Sequence, residues 1–214
     1  MEIPVRTGRV QLDGSGLTAV WAIAASSKTK GQPTGDGYLI REGHGRILLA
    51  VVDGTGSGAD AAIAAQHCLE ELSAAGKEPL EAEFLAVHNR LSGGRGAALG
   101  LARIEMATAT LTWAAVGDID GLCIHGPHHA AGGRESLLQR PGTLGIAYSG
   151  IHPQSLALTA GDLVLLTTDG VSRAYRDRMT GRRSAGETAE HLLRRYGRDE
   201  DDCLILALKV EAEE

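Results

Sequence analysis

The sequence predicts an α+β fold built as a layered sandwich, and three observations predict it. The apolar patterns run as strands, two helices, many strands, one helix and a last strand, without the βαβα alternation of a doubly wound parallel sheet. The stretch from residue 96 to 126 holds short apolar runs separated by turn residues, the pattern of an antiparallel meander. The 214 residues are 43% apolar and carry no repeat, linker or low-complexity segment. One sizeable core and a single domain over 1–214 are therefore expected.

Leu17 to Ala25 (LTAVWAIAA) reads as the first strand, and SSKTKGQPTGDG after it as a loop. Tyr38 to Ile40 and Arg46 to Val52 pair as strands across REGHG, and the second run stops at Asp53-Gly-Thr-Gly-Ser-Gly58. A helical pattern from about Ser57 to Ala75 places Ala62, Ala65, Leu69 and Leu72 on one face. Ser57 with Asp60 resembles a capping box, and Gly76 suits the C′ position. A second helix, Leu80 to Leu91, carries Phe84, Val87, His88 and Leu91 on one side. Beyond the meander, Ser155 to Thr159 and Leu163 to Thr168 are strands around Ala160-Gly161-Asp162. Ser184 with Glu187 makes a capping box for a helix ending near Tyr196, and Cys203 to Val210 is the last strand.

Composition narrows the function. Twenty-one Lys plus Arg against 27 Asp plus Glu give a net charge of −6, which argues against a nucleic-acid surface. Trp21, Trp113, Phe84 and four Tyr are few aromatics for base stacking. Cys68, Cys123 and Cys203 are an odd number without a C-x-x-C pair, so they fit core packing in a reducing compartment better than disulfides or a cysteine zinc site. The N-terminus lacks a long apolar segment, and Gly or charge breaks every later apolar run before the roughly 18 residues of a membrane helix. A cytoplasmic protein with no membrane or nucleic-acid partner is expected.

Four acidic residues occupy one kind of place, the end of an apolar strand or the mouth of a Gly turn. They are Asp36 in TGDGY, Asp53 in VVDGTGSG, Asp169 in LLTTDGVS and Asp201 in EDDCLIL. Any one alone is ordinary turn chemistry. Converging at one sheet rim, they would repel by roughly 4 kcal/mol per pair at about 4 Å and an effective dielectric of about 20. A cation must then neutralise them, and oxygen-only donors suit Mg²⁺ or Mn²⁺. Gly54, having no side chain, can add its backbone carbonyl.

The motifs GDGY (35–38), VVDGTGSGADAA (51–62), GAALGLARI (96–104), WAAVGDIDG (113–121), TLGI (143–146), GDLVLLTTDGVS (161–172) and DDCLILAL (201–208) fall in an order that resembles the type 2C (PPM) metal-dependent serine/threonine phosphatases. The likeness spans about residues 17–210 and is to the short bacterial SpoIIE and RsbU forms, with the bare catalytic pattern most similar to the RsbX phosphatases of the stressosome. It implies a four-layer αββα sandwich, two antiparallel sheets flanked by helices, with two Mn²⁺ or Mg²⁺ ions at one rim. By the same resemblance Asp53 bridges both ions, Gly54 ligates one, Asp36 acts mainly through waters, and Asp169 and Asp201, rather than Asp202, complete the coordination of the second ion. Asp118 matches the position that supports a possible third ion. A water activated between the ions attacks phosphorus in line, so Asp36, Asp53, Asp169 and Asp201 are the candidate catalytic residues.

The resemblance further implies hydrolysis of phosphoserine or phosphothreonine on proteins, with stressosome phosphoproteins carrying STAS domains as substrates. An anti-anti-sigma factor, as for RsbU and SpoIIE, and a non-catalytic pseudophosphatase that binds phosphoproteins are the alternatives. Because the motifs start near residue 17, regulation is expected through expression, substrate presentation or a partner. The phosphate-gripping Arg of eukaryotic relatives has no counterpart, and Lys28 and Lys30 are the nearest basic residues; the His that follows their bridging Asp-Gly is Thr55 here.

Other readings of the same residues are weaker. GTGSG lacks the G-x-G-x-x-G spacing and the Gly-Lys-Ser/Thr ending of nucleotide loops. A haloacid-dehalogenase mechanism needs an Asp nucleophile where Val51 stands. His125, His128 and His129 in HGPHH fit a solvated loop better than a zinc site. The five Arg between Arg173 and Arg183 read as a solvated, mobile face, with docking of an acidic partner or phosphoprotein as the second reading.

Overall fold

The computed structural model describes residues 3–29, 31–74, 79–127, 129–130 and 132–213. Among the described residues lie eleven strands and three α-helices in two antiparallel sheets. The first sheet takes the order β1(Val5–Leu12), β2(Leu17–Ser26), β11(Cys203–Ala212), β10(Leu163–Thr167), β7(Asp120–Ile124), β8(Arg134–Leu137). The second runs β3(Asp36–Gly43), β4(Arg46–Gly54), β5(Ala97–Glu105), β6(Thr110–Val116), β9(Gln154–Ala157). Helices α1(Ala59–Ala74) and α2(Leu80–Leu91) cover the outer face of the second sheet, and α3(Ala185–Tyr196) covers the first. Helices, sheet, sheet and helix make the expected four layers.

The alternation of strand side chains builds three apolar layers from these elements. On β4, Ile47, Leu49 and Val51 enter the core between the sheets, whereas Leu48, Ala50 and Val52 pack under α1 and α2. Both faces of β4 are apolar because both are covered, which is why RILLAVV shows no polar alternation. Val164 and Leu166 of β10 and Leu204 and Leu206 of β11 close the inter-sheet core from the other side.

Several boundaries differ from the sequence reading. β1 and β8 were not predicted: β1 carries two Arg, a Thr and a Gln along a sheet edge, with only Val10 and Leu12 buried, so its apolar signal is thin. The meander breaks after β6. Gly117, at φ +86°, turns the chain so that β7 joins β10 in the first sheet instead of pairing with β6. The buried face of α1 is Ala61, Ala64, Ala65, Cys68 and Leu72, with Ala62 and Leu69 at its margin. Asp60 pairs with Arg95 at 3.0 Å instead of serving a Ser57 cap. Ala75 and the Gly76 cap lie outside the described residues. The Ser184–Glu187 capping box forms as predicted, with both reciprocal bonds. All three cysteines are free and buried, and no described helix is long and apolar enough to cross a membrane.

Candidate active site

Strand register brings acidic residues from both sheets to one rim. Asp36, the first residue of β3, pairs directly with Asp53 near the end of β4. Opposed residues in an antiparallel pair share a face, and Asp53 has the parity of Val51, so both carboxylates point between the sheets. In the other sheet β10 ends at Thr167 opposite Ile205 of β11 and Asp120 of β7. Asp169 just past β10, Asp201 and Asp202 just before β11, and Asp118 just before β7 therefore gather at that same rim.

Asp53, Asp118, Asp169 and Asp201 line one cavity of about 500 Å³, together with Thr55, Gln139 and Thr143. Asp36 is buried behind them, 7% exposed, and accepts a 2.7 Å hydrogen bond from the Thr168 hydroxyl. Asp202 turns the other way: its two carboxylate oxygens accept the backbone N–H groups of Lys28 and Gly35 at 2.8 and 2.7 Å. It ties the loop after β2 to the rim, which accounts for two adjacent aspartates pointing to different tasks. Gly54 is needed for packing. A Cβ there would stand 2.1 Å from the Ala61 carbonyl oxygen of α1.

The cluster is electrostatically strained. Burial, then repulsion from Asp53, Asp202 and Asp169, pushes the Asp36 carboxyl up to about 8 despite the Thr168 hydrogen bond. Burial, then Asp169 and Asp201, pushes Asp53 up to about 7, and Asp169 is raised for the same kinds of reason. Carboxylates held this far above their usual range fit hard divalent cations, which supply the missing positive charge.

The sequence reading gives Thr168 and Gln139 no role, and it places Arg173 and Arg176 on a solvated face instead of at the rim. Thr168 donates to Asp36 and accepts from the Leu204 N–H at 2.9 Å, joining β3, β10 and β11. Its signal was present: it follows Val164 and Leu166 on the inter-sheet face. Arg173 forms an ion pair with Asp118 and reaches Asp120 at 3.4 Å, while Gln139 donates to Asp118 at 3.2 Å. Arg176 also pairs with Asp120, at 3.2 Å. The segment read as a solvated, mobile Arg face is thus partly anchored to buried Asp120. Lys28 stands at the rim through its backbone N–H; Lys30 and His128 lie outside the described residues.

The fold and the family match together define a protein phosphatase of the PP2C (PPM) class. The family model for Stage II sporulation protein E (SpoIIE) matches residues 43–211, and the chain belongs to that family. Among solved structures, RsbX in complex with magnesium superposes with a TM-score of 0.80 at 18% identity, over 98% of this chain and 100% of that one. The PP2C phosphatase domain of SpoIIE from Bacillus subtilis, with a fragment of its regulatory domain, gives 0.72 at 21% identity, over 98% and 64%. A structure from work on the bacterial stressosome gives 0.76 at 26%, over 96% and 100%. No curated protein matches the chain in sequence.

Proposed function

We propose that this chain is a metal-dependent protein serine/threonine phosphatase of the partner-switching type, acting in the cytoplasm on phosphorylated STAS-domain proteins of a stressosome. The observation that carries the chemistry is the convergence of Asp53, Asp169 and Asp201 on one cavity with Asp36 buried behind them. These four, with the Gly54 carbonyl, are the residues we assign to hold two Mn²⁺ or Mg²⁺ ions; bound there, the ions would neutralise the cluster and activate water for attack on phosphorus. The cavity lining has no His, Lys or Cys among the described residues, so a covalent route through such a side chain has no candidate there.

The chain's own groups would set the geometry. Thr168 orients Asp36, and Asp202 anchors the loop carrying Lys28 next to the rim. Asp118, the position assigned to a third ion, already pairs with a guanidinium through Oδ1, so Arg173 would compete with an ion there. Arg173 and Arg95, whose guanidinium lies near Gly56 of the lining, are cations in reach of a phosphoprotein at the cavity mouth. The stressosome assignment is supported by the likeness to RsbX and to the stressosome-related structure.

Hydrolysis of p-nitrophenyl phosphate in Mn²⁺ or Mg²⁺ tests the chemistry. Asp53→Asn and Asp169→Asn are each expected to lose about a hundredfold or more. Full activity in either variant, or none in the wild type with either metal, would overturn the enzyme reading in favour of a binding-only module. Phosphate release from phosphorylated STAS scaffold tests the substrate; release from an anti-anti-sigma factor alone would move the assignment to the RsbU and SpoIIE type.

A further inference from the structure

The end of the molecule opposite the carboxylate rim carries a second set of ligating side chains. β7 and β10 run antiparallel, so Ile124 at the end of β7 lies beside Leu163 at the start of β10, a strand's length from Asp120 and Thr167. His125 follows β7 there, and Asp162 precedes β10. One ligand atom from each of His125, His129 and Asp162 lies within 4.8 Å of the others.

The site is built, not a surface coincidence. Asp162 is fully buried, and its oxygens accept the Gly126 and Thr159 N–H groups at 2.7 and 2.8 Å, which fixes the carboxylate and leaves lone pairs free. The His125 side chain is 2% exposed, yet its Nδ1 stands 3.8 Å from Asp162 Oδ1 and its Nε2 3.6 Å from Glu135 Oε2. Both distances exceed an N–H···O hydrogen bond, and among the described residues the ring also meets the Cys123 sulfur, a weak partner 3.8 Å from Nδ1. Tetrahedral ligands bound at about 2.0–2.2 Å sit roughly 3.4 Å apart, close to the Nδ1 to Asp162 spacing. Glu135, facing the other ring nitrogen, stands where an outer carboxylate fixes the tautomer of a metal-bound His.

We propose that His125, His129 and Asp162 bind one transition-metal ion of the Zn²⁺ class, at a site separate from the carboxylate rim. Two imidazoles and one carboxylate are borderline N/O donors, which select Zn²⁺ over Mg²⁺ or Mn²⁺. His129 stacks on His125 with centroids 3.7 Å apart. To aim a nitrogen at the shared point, its ring must tilt out of that stack and away from the Ala157 carbonyl, which stands 3.3 Å from Nε2. A cavity of about 700 Å³ borders the cluster on its His125 side, lined also by Arg134 and Arg182. The bound ion would clamp the β7–β8 loop to the start of β10.

Calorimetric titration of the untagged chain with Zn²⁺, in saturating Mg²⁺ to fill the oxygen-donor rim, tests this. One equivalent is expected to bind, Asp53→Asn is expected to leave that binding unchanged, and Co²⁺ is expected to give the intense visible bands of a four-coordinate site. His129→Ala should weaken Zn²⁺ binding by more than about tenfold. His125→Asn, with circular dichroism to confirm its fold, should do the same. No Zn²⁺ binding in the presence of Mg²⁺, or binding retained in His129→Ala and lost in Asp53→Asn, would overturn the site.

Discussion

Thr168 shows how one hydroxyl can hold a carboxylate rim together. It donates to a buried carboxylate and accepts from the Leu204 N–H of β11, so Thr168→Val would leave both without it. Buried groups stripped of a partner cost about 1–3 kcal/mol each. Urea unfolding of Thr168→Val is therefore expected to show a loss of that order, with Thr168→Ser close to wild type because both bonds survive. The hydroxyl also lowers the Asp36 carboxyl against the pull of burial, so the Val variant should bind Mn²⁺ more weakly at neutral pH, read by calorimetry. Equal stability of the Val and Ser variants would remove Thr168 from this role. The aspartates themselves were legible in the sequence because each ends an apolar run before Gly or begins one. Thr168, Arg173 and Gln139 were not, since their partners lie 132, 55 and 21 residues away.

At the scale of elements, the approach of α1 to the end of β4 governs the rim. Gly54 has its α-carbon so close to α1 that an added Cβ would overlap the Ala61 carbonyl. The obstacle is backbone, so it cannot rotate away; either the first turn of α1 or the strand end carrying Asp53 must shift. Gly54→Ala is expected to cost about 1–3 kcal/mol as an overpacking change and to reduce phosphatase activity more than its stability loss explains, checked by thermal unfolding beside turnover at a temperature where both proteins are folded. A stable, fully active Gly54→Ala would mean the contact is slack. Local signals identified elements well where the chain makes its own case: the Ser184–Glu187 box starts α3 as read. They failed where a distant partner decides. Asp60 resembled a cap residue until Arg95 claimed it, and β7 looked like a third meander strand until β10 offered a better neighbour.

For the whole molecule, the fold class followed from element order, because two helices after a hairpin cannot complete a parallel sheet and must cover an antiparallel one. Which strands share a sheet did not follow, because the pairing of β2 with β11 joins opposite ends of the chain. That closure places Asp201 and Asp36 at a common rim and sets the pH behaviour of the protein. Asp36 and Asp53 titrate at about 8 and about 7 in the folded chain against 3.8 unfolded, chiefly through burial and then mutual repulsion. Raised folded values mean that the native state binds more protons than the unfolded one between about pH 4 and pH 8, so stability is greatest at the acid side of that window and falls as pH rises through it. Chelator-treated protein should accordingly lose Tm from about pH 5 to about pH 8, and Asp53→Asn should flatten the slope. Mg²⁺ or Mn²⁺, binding only when protons leave, should raise Tm more at the higher pH. A metal-stripped chain whose Tm climbs over that range, with Asp53→Asn following the same curve, would show that the carboxylates do not strain one another and need no cation to settle them.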